Sequence, residues 1–244
     1  IGMKRRLILS EILCHQDSYL KEFDATVVDV LEKGVVLDRT GFYPGGGGQP
    51  SDSGVLIHVD GKSMVKKLSR NDSKLVHEIE GVCGFDVGEK IHGVIDWDRR
   101  YLLMKTHTAL HMMGGIVWRD YGAQITGSDM KPGFGRLDFE LDHMSTDFAG
   151  EVQNKINEEV NKGRKIAVKI LPREEAFQIP DLIRTKINLL PTGIKEVRIV
   201  DIKGLDLQAD GGTHVANTSE VGTVFVVGHE SKGRINKRLR IRVD

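Results

Sequence analysis

Residues 99–121 read RRYLLMKTHTALHMMGGIVWRDY, and apolar side chains recur in them at the three- and four-residue spacing of a helix. His107 and His111 lie four positions apart in this stretch, so a helix projects both imidazoles from one face, where they can bind one cation. Residue 108 is Thr instead of the Glu of an HExxH motif, which excludes the zinc-protease arrangement. With nine histidines in the chain an accidental HxxxH is easy, so a partly buried histidine pair is the alternative interpretation.

A second half-site lies about a hundred residues further on, where residues 207–222 read LQADGGTHVANTSEVG. Asp210 and His214 are again four positions apart, and Gly211-Gly212 between them predicts a turn. Three imidazoles and one carboxylate suit zinc better than magnesium or calcium, which prefer all-oxygen shells. The alternative is a Gly-Gly hairpin in which Asp210 and His214 satisfy the local backbone. Together the two half-sites favour one metal site.

The remaining pattern predicts an α+β protein. Residues 25–40, ATVVDVLEKGVVLDRT, are typical of a β-hairpin that turns at Glu32-Lys33-Gly34. More short strands are expected near 54–59, 63–68, 74–79 and 91–96, which predicts a small barrel or curled sheet. Further on, helices are expected at 99–121, at 147–162 and after Pro180, with strands at 135–141, 165–171, 196–202, 221–227 and 237–243. We therefore predict an N-terminal β-barrel domain at 1–92 and an α+β domain at 93–244.

Composition and charge add few constraints. Hydrophobic content of 39% and charged content of 29% are ordinary for a soluble globular protein, and Lys plus Arg equals Asp plus Glu at 35 each. The exception is the basic stretch ESKGRINKRLRIRV at 230–243, which fits either phosphate contacts or a solvated edge strand. Ser10 and Glu11 interrupt the first apolar run too early for a signal peptide, and no run is long enough to span a membrane, so a cytoplasmic protein is expected. Cys14 and Cys83 are expected to be buried apolar residues.

Five ordered motifs resemble those of one known family. HTALH at 107–111 and DGGTH at 210–214 are similar to the zinc elements of alanyl-tRNA synthetase editing domains and of their free-standing relatives, the AlaX proteins. GFYPGGGGQPSDSG at 41–54 resembles the family's glycine-rich motif, AQITGSDMKPGFGRLDFEL at 123–141 its GS…RxDF segment, and residues 230–243 its basic C-terminal strand. An N-terminal β-domain that carries the glycine-rich motif is similar to the medium-length AlaX type.

The resemblance implies an N-terminal β-barrel followed by an α+β zinc-containing editing domain of the type common to alanyl- and threonyl-tRNA synthetases. It implies a trans-editing hydrolase that removes serine or glycine from mischarged tRNA-Ala and spares Ala-tRNA-Ala. It also implies one Zn²⁺ per chain, bound by His107, His111, His214 and Asp210. Many members have Cys where this chain has Asp210, so Asp210 either binds zinc directly or holds a water that completes the shell. The expected partner is the acceptor stem and CCA end of tRNA-Ala, with no membrane, for a monomer or homodimer.

Site residues follow from the chemistry that editing needs. A pocket made for alanine rejects serine or glycine weakly, so a second site must recognise the mistake, and hydrogen bonds to the serine hydroxyl are the sharper discriminator. Thr126, Ser128 and Gln49 are the catalytic-site candidates for this role, with Thr106 and Thr108 as lesser ones; each could instead be structural. The substrate-binding candidates are Gly46, Gly47 and Gly48, whose amides can approach a ligand, Asp52, which could orient them, and Arg238 and Arg240. The Lys4-Arg5-Arg6 cluster is a further candidate for phosphate contacts, and Arg136 and Asp138 are expected to pair with each other or with neighbouring strands.

Three rival functions stay open. A structural zinc protein could bind RNA without hydrolysing anything, since four protein ligands are typical of closed structural sites. A metallohydrolase of a small ester or amide could use the same fold. Editing of threonyl-tRNA uses a related domain, but the glycine-rich N-terminal motif belongs to the alanine system and argues against it.

Overall fold

The structure, a computed structural model, describes residues 10–81, 84–142, 146–186, 190 and 193–244. It has two compact units: the described residues up to Gly46 together with Pro50–Arg100, and Gly47–Gln49 together with Tyr101–Asp244. The two-domain division with a boundary at 92/93 stays a prediction. Cys83 and the Lys4-Arg5-Arg6 cluster lie outside the described residues. Within the described part of the chain, no helix combines the length and the apolar character that a membrane span requires.

The first unit contains a closed antiparallel barrel of six strands. Its elements are β1 (Glu11–Ile12), a 3-10 turn (Leu13–His15), β2 (Glu22–Leu31), β3 (Gly34–Leu37), β4 (Arg39–Thr40), β5 (Gly54–His58), β6 (Gly61–Asn71), β7 (Lys74–Ile79) and β8 (Lys90–Ile95). The barrel order is β2-β3-β7-β6-β5-β8, and β1 pairs in parallel with β4 outside it. The predicted hairpin and the predicted small barrel are both confirmed.

Strand alternation fills the barrel. Inward residues are buried at every second position of β2, where Phe23, Ala25 and Val27 are all less than 7% exposed, and they pack against Leu37 and Leu56. Burial of a side chain such as Phe23, Val27 or Leu37 stabilises the fold by about 1.5–3 kcal/mol. Cys14 is also buried, as predicted.

The second unit combines two helices with two antiparallel sheets. In chain order it has α1 (Trp97–Tyr121, of which Tyr101 onward belongs to this unit), β9 (Ile125–Lys131), β10 (Phe134–Glu140), α2 (Thr146–Asn161), β11 (Ile166–Pro172), a single turn α3 (Arg173–Ala176), β12 (Glu196–Ile202), β13 (Asp206–Ala209), a 3-10 turn (Thr218–Val221), β14 (Val224–Ser231) and β15 (Asn236–Val243). The sheet orders are β14-β15-β10-β9 and β11-β12-β13. The mixture of helix and sheet agrees with the predicted α+β class.

Helix α1 is the central element for the site. Met104, Met112, Met113 and Ile116 are completely buried, so apolar side chains cover most of its circumference. Gly115 lets the main chain approach closely, because a Cβ there would lie 3.0 Å from the carbonyl oxygen of Leu205. The helix is therefore fixed on several sides by packing, which suits an element that presents functional side chains.

The helix predicted after Pro180 is wrong for residues 181–186. Asp181 has a φ of 54°, which a right-handed helix does not allow. The chain then pairs with the start of β9: the Ile125 amide donates to the Arg184 carbonyl (3.0 Å), and the Lys186 amide donates to the Ile125 carbonyl (2.9 Å). Pairing with a neighbouring strand has overridden the local helix preference. Residues 187–189 of the predicted helix lie outside the described residues.

Candidate metal centre

The two predicted half-sites meet in the second unit. One ligand atom each of His107, His111, Asp210 and His214 lies within 4.8 Å of the other three. The ring centroids of His107 and His214 are 4.4 Å apart, and those of His111 and His214 are 4.7 Å apart. Asp210 Oδ2 lies 3.1 Å from His214 Nε2, and Asp210 Oδ1 lies 3.7 Å from His107 Nε2. These four side chains can hold a metal ion.

The turn after β13 brings Asp210 and His214 together. The Gly212 amide donates to Asp210 Oδ2 (2.7 Å), and the Arg198 guanidinium donates to the carbonyls of Asp210 (3.0 Å) and Gly212 (2.8 Å). Gly212 has no room for a side chain, because a Cβ would overlap the His107 ring and lie 2.7 Å from Gln49 Oε1. The predicted Gly-Gly turn is thus tied to the ligand histidine on α1.

Each histidine has an oxygen partner at its Nδ1 atom. His107 Nδ1 donates to Gln49 Oε1 (2.9 Å), and His111 Nδ1 donates to Asp206 Oδ2 (2.8 Å). His214 Nδ1 lies 3.2 Å from Thr108 Oγ1. The amide oxygen of Gln49 and the carboxylate of Asp206 can only accept, so His107 and His111 each carry a hydrogen on Nδ1. Partners of this kind orient metal-binding histidines and raise their basicity.

Asp206 is itself held by other side chains. Its Oδ1 atom accepts from Arg184 Nη1 (2.6 Å), and Gln208 Nε2 lies 2.8 Å from its Oδ2 atom. The carboxylate is buried, so these donors offset the cost of removing its charge from water. Asp206, Arg184 and Arg198 were not identified from the sequence. The signal available was weak: Asp206 lies four residues before Asp210, but nothing in the sequence pairs it with His111.

The pKa values of the four side chains favour binding of a cation. Burial lowers the pKa of His107 well below its ordinary value and that of His214 to about 4. For Asp210, burial alone would raise the pKa, but the adjacent histidines outweigh it and the carboxyl pKa lies well below its usual range. At His111 burial also acts to lower the pKa, but the hydrogen bond and charge of Asp206 outweigh it, so the pKa is raised. Near neutral pH the group therefore presents a carboxylate and neutral rings at His107 and His214, the forms that bind metals.

Part of the glycine-rich segment lies at this group. Gln49 is 2% exposed and, besides accepting from His107, accepts from the Thr213 amide (3.0 Å) and donates to Thr213 Oγ1 (2.8 Å). Gly47 lies beside Asp210, where a Cβ would be 3.6 Å from Oδ1. Gly48 has a φ of +90°, and a Cβ there would lie 2.7 Å from Ser128 Oγ. The structure thus brings Gly47, Gly48, Gln49 and Ser128 together with the four ligand candidates.

Other candidates occupy different surroundings. Thr126 is exposed on β9 and donates to Asn236 Oδ1 (2.9 Å). Thr106 donates to the Leu102 carbonyl one helical turn back (2.7 Å). In the first unit, Gly46 has a φ of +136° and its carbonyl accepts from the Tyr43 hydroxyl (3.0 Å). Asp52 is 1% exposed and accepts from the Tyr43 amide (2.6 Å), so it closes the base of the glycine-rich loop.

The arginines of β15 are engaged in ion pairs. Arg238 makes a bidentate contact with Asp138 (2.6 and 2.7 Å), and Arg136 also donates to Asp138 (3.0 Å), which confirms the predicted pairing of Arg136 and Asp138. Arg240 lies 2.7 Å from Glu230 and is 43% exposed in its side chain. The phosphate-binding role of Arg238 and Arg240 stays a prediction.

Comparison with known proteins places this architecture in a class. Residues 10–99 match the family model of tRNA synthetases class II (A), and residues 197–240 match that of the threonyl and alanyl tRNA synthetase second additional domain. The barrel strands lie in the part that matches the class II synthetase model, and Asp210 and His214 lie in the part that matches the second additional domain.

The relatives specify the family within that class. The chain is 40% identical over 233 residues to the alanyl-tRNA editing protein AlaX-M of Saccharolobus solfataricus, covering 95% of this chain and 98% of the relative. It is 39% identical over 237 residues to AlaX-M of Methanosarcina barkeri, covering 95% and 98%. The chain belongs to the AlaX-M family of alanyl-tRNA editing proteins, as its motifs predict. It is also 35% identical over 222 residues to alanine–tRNA ligase of Pyrococcus furiosus, covering 89% of this chain and 24% of that enzyme.

Proposed function

We propose that this chain is a trans-editing hydrolase that deacylates Ser-tRNA-Ala and Gly-tRNA-Ala and spares Ala-tRNA-Ala. The observation that carries the proposal is the position of Gln49. This residue of the glycine-rich segment is hydrogen-bonded to His107 of the four-residue group. The names of the relatives support it, because they are alanyl-tRNA editing proteins. An editing enzyme acts where tRNA is charged, which supports a cytoplasmic location.

The ion proposed for the group is one Zn²⁺ per chain, held by His107, His111, His214 and Asp210. Three imidazoles and one carboxylate fit the nitrogen and oxygen donors that zinc accepts, and the closeness of both Asp210 oxygens to ring nitrogens supports direct ligation. When bound, zinc supplies a Lewis acid at the site. The Nδ1 partners of the histidines fix the direction in which Nε2 points.

The chain's own residues position the ester. An aminoacyl-tRNA is an activated ester, so its hydrolysis depends chiefly on orientation and on donors for the developing oxyanion. Gly47 and Gly48 carry no side chains, so their main chain can approach an acyl group closely and offer amide donors. Asp52 keeps the base of this loop closed through its bond from the Tyr43 amide.

Selectivity is assigned to hydroxyl groups on β9. Thr126 and Ser128 are two residues apart on this strand, and both are exposed. A hydrogen bond to the hydroxyl of a seryl ester leaves a polar group unpaired when alanine is bound, which costs about 1–3 kcal/mol. We expect Ser128→Ala to lower deacylation of Ser-tRNA-Ala by about 5–150-fold, with a smaller effect on Gly-tRNA-Ala.

Phosphate contacts are assigned to β15. Arg240 is more exposed than Arg238 (43% against 16% of the side chain), so a phosphate reaches it at a lower cost. Substitution of Arg240 should therefore weaken binding of the acceptor stem more than it changes the rate of hydrolysis, and the loss should shrink as salt is raised. A monomer or a homodimer is compatible with this arrangement.

The test is deacylation of Ser-tRNA-Ala, Gly-tRNA-Ala and Ala-tRNA-Ala in the presence of Zn²⁺. The wild type should release serine and glycine and spare alanine, and His107→Ala should release neither. His92→Ala is the matched control, because His92 is a half-exposed histidine on the barrel and should be active. Survival of all three esters with the wild type contradicts the proposal.

A second candidate function is a non-catalytic zinc module that binds tRNA. It is favoured by the four protein side chains in the group, since structural zinc sites are closed by four protein ligands. In the same assay this alternative predicts binding of tRNA-Ala with all three esters intact.

A further inference from the structure

The side-chain amide oxygen of Gln49 has both of its acceptor positions filled at the candidate metal centre. Its Oε1 atom accepts two hydrogen bonds, from His107 Nδ1 (2.9 Å) and from the Thr213 amide (3.0 Å). Its Nε2 atom donates to Thr213 Oγ1 (2.8 Å). An amide oxygen has two lone pairs, so Oε1 is saturated and is not available to a substrate hydroxyl. The oxygen therefore does not serve the serine-recognising role considered for Gln49 from the sequence.

The two acceptor bonds fix more than Gln49. Because Oε1 can only accept, the hydrogen of the His107 ring must be on Nδ1, and Nε2 is left facing Asp210 Oδ1 at 3.7 Å. The contact leaves little freedom, since a side chain at Gly212 would collide with both His107 and Gln49. The ring of His107 is thus oriented by an amide that belongs to the glycine-rich segment.

The other two histidines are oriented from other parts of the second unit. His111 is paired with Asp206 on β13, and His214 with Thr108 on α1. Of the three Nδ1 partners, Gln49 is the one contributed by Gly47–Gln49, which also lies against Asp210 and Ser128. A disturbance of the His107–Gln49 bond therefore reaches both the ligand group and the glycines.

We propose that Gln49 is a positioning residue of the metal centre and that metal binding and the order of Gly47–Gln49 are linked through it. Gln49 holds Nε2 of His107 toward the ion, and an ion that fixes His107 holds Gln49 in return. By thermodynamic reciprocity, the free energy that ordering of the segment adds to metal binding equals the free energy that the bound metal adds to that ordering. The inference rests on the proposed metal centre, and it gives Gly47–Gln49 of the glycine-rich segment a role in orienting one of its ligands.

The first measurement is Zn²⁺ affinity, by competition with a chelator, for the wild type, Gln49→Leu and Gln49→Glu. Gln49→Leu removes the acceptor and should weaken Zn²⁺ binding by about 10–100-fold, the usual effect of losing such a partner. Gln49→Glu keeps two acceptor positions, and the Thr213 hydroxyl can rotate to donate, so its affinity should stay close to the wild type. Gln153→Leu is the matched control, because it removes a similar bond, from the Val226 amide (2.8 Å), away from the group.

The second measurement is hydrogen exchange of the Gly47, Gly48 and Gln49 amides with and without Zn²⁺. Zinc should slow exchange at these amides in the wild type, and this protection should be absent in folded Gln49→Leu. Wild-type affinity in folded Gln49→Leu, or equal losses in Gln49→Leu and Gln153→Leu, overturns the inference. If the wild type itself binds no Zn²⁺, the proposed metal centre fails, which is a distinguishable result.

Discussion

Replacing Arg100 with Met isolates a buried carboxylate in the barrel unit. The Arg100 side chain is completely buried, and it donates through Nε to Asp52 Oδ2 (2.9 Å) and also through Nη2 to the same oxygen. Its remaining donors reach the carbonyls of Ser18 (3.0 Å) and Gly41 (2.8 Å). Met is of similar length and lacks the charge and all of these donors, so Asp52 would keep only the hydrogen bond from the Tyr43 amide.

The expected cost follows from the burial of both groups. Two unit charges about 4 Å apart interact by roughly 4 kcal/mol at an effective dielectric constant of 20. Removing one member of a buried pair costs about 3–5 kcal/mol, because the other charge stays out of water. We therefore expect Arg100→Met to lower the free energy of unfolding by about 3–5 kcal/mol at pH 7. Adding Asp52→Asn removes the isolated charge and should return part of that loss.

The assay is urea unfolding at pH 7 of the wild type, both single variants and the double variant, followed by circular dichroism. A double-mutant cycle then gives the coupling between the two residues. A loss below about 1 kcal/mol for Arg100→Met, or losses that simply add in the double variant, would refute the reasoning.

Three further outcomes are expected. Burial lowers the pKa of His77 to about 4, so as pH falls from about 6.5 the unfolded chain binds the proton before the folded protein does. Between about pH 6.5 and pH 4 the free energy of unfolding should therefore drop by about 1.4 kcal/mol per pH unit. Urea titrations of His77→Gln should lack this slope. Gly48→Ala places a Cβ 2.7 Å from Ser128 Oγ at a φ of +90°. It should lower the free energy of unfolding by about 1 kcal/mol or more, and it should also reduce kcat/KM for Ser-tRNA-Ala. Chelation of Zn²⁺ should lower the Tm of the wild type, since ligand at a thousandfold excess over Kd adds about 4 kcal/mol.

The Gly48 and chelation predictions each have a matched control, and His77→Gln serves as the control for the pH slope. Gly88 has a φ of +95° with open space around it, so Gly88→Ala shares the backbone strain without the collision and should leave kcat/KM unchanged. Chelation should not change the Tm of His111→Ala. Equal activity losses in the two alanine variants, an unchanged pH slope in His77→Gln, or equal Tm shifts with and without His111 would each contradict the corresponding argument.

The sequence was informative where a short-range pattern carries the structure. His107 and His111 are four residues apart within one local element, and so are Asp210 and His214. The two pairs were combined because three imidazoles and one carboxylate are suitable ligands for one zinc ion. The two apolar runs on either side of Glu32-Lys33-Gly34 predicted the hairpin, because a turn between two such runs is typical of paired strands. Helices α1 and α2 were predicted within two residues at each end for the same kind of reason.

The parts that were not predicted depend on partners distant in sequence. Strand β9, ITGSDMK, is largely polar and is a strand because it pairs with β10. Pro180 is typical of a helix start, but the positive φ of Asp181 and the pairing with Ile125 send the chain elsewhere. The bond between His111 and Asp206 joins residues 95 positions apart, and no local pattern encodes it. Residues that orient the ligands through hydrogen bonds are therefore found only in the folded structure, whereas ligands at a fixed spacing can be recognised in the sequence.

The division of the four ligand candidates between α1 and the turn after β13 has a topological consequence. An ion held by both pairs cross-links the chain around a loop of about 100 residues, from His111 to Asp210. In the chain-entropy model, a cross-link around a loop of that size removes about 4.7 kcal/mol worth of freedom from the unfolded chain. The loop contains β9, β10, α2, β11, α3, β12 and β13, so one ion would cross-link most of the second unit. The centre proposed for ester hydrolysis would thus also restrict the conformations that are open to the unfolded chain.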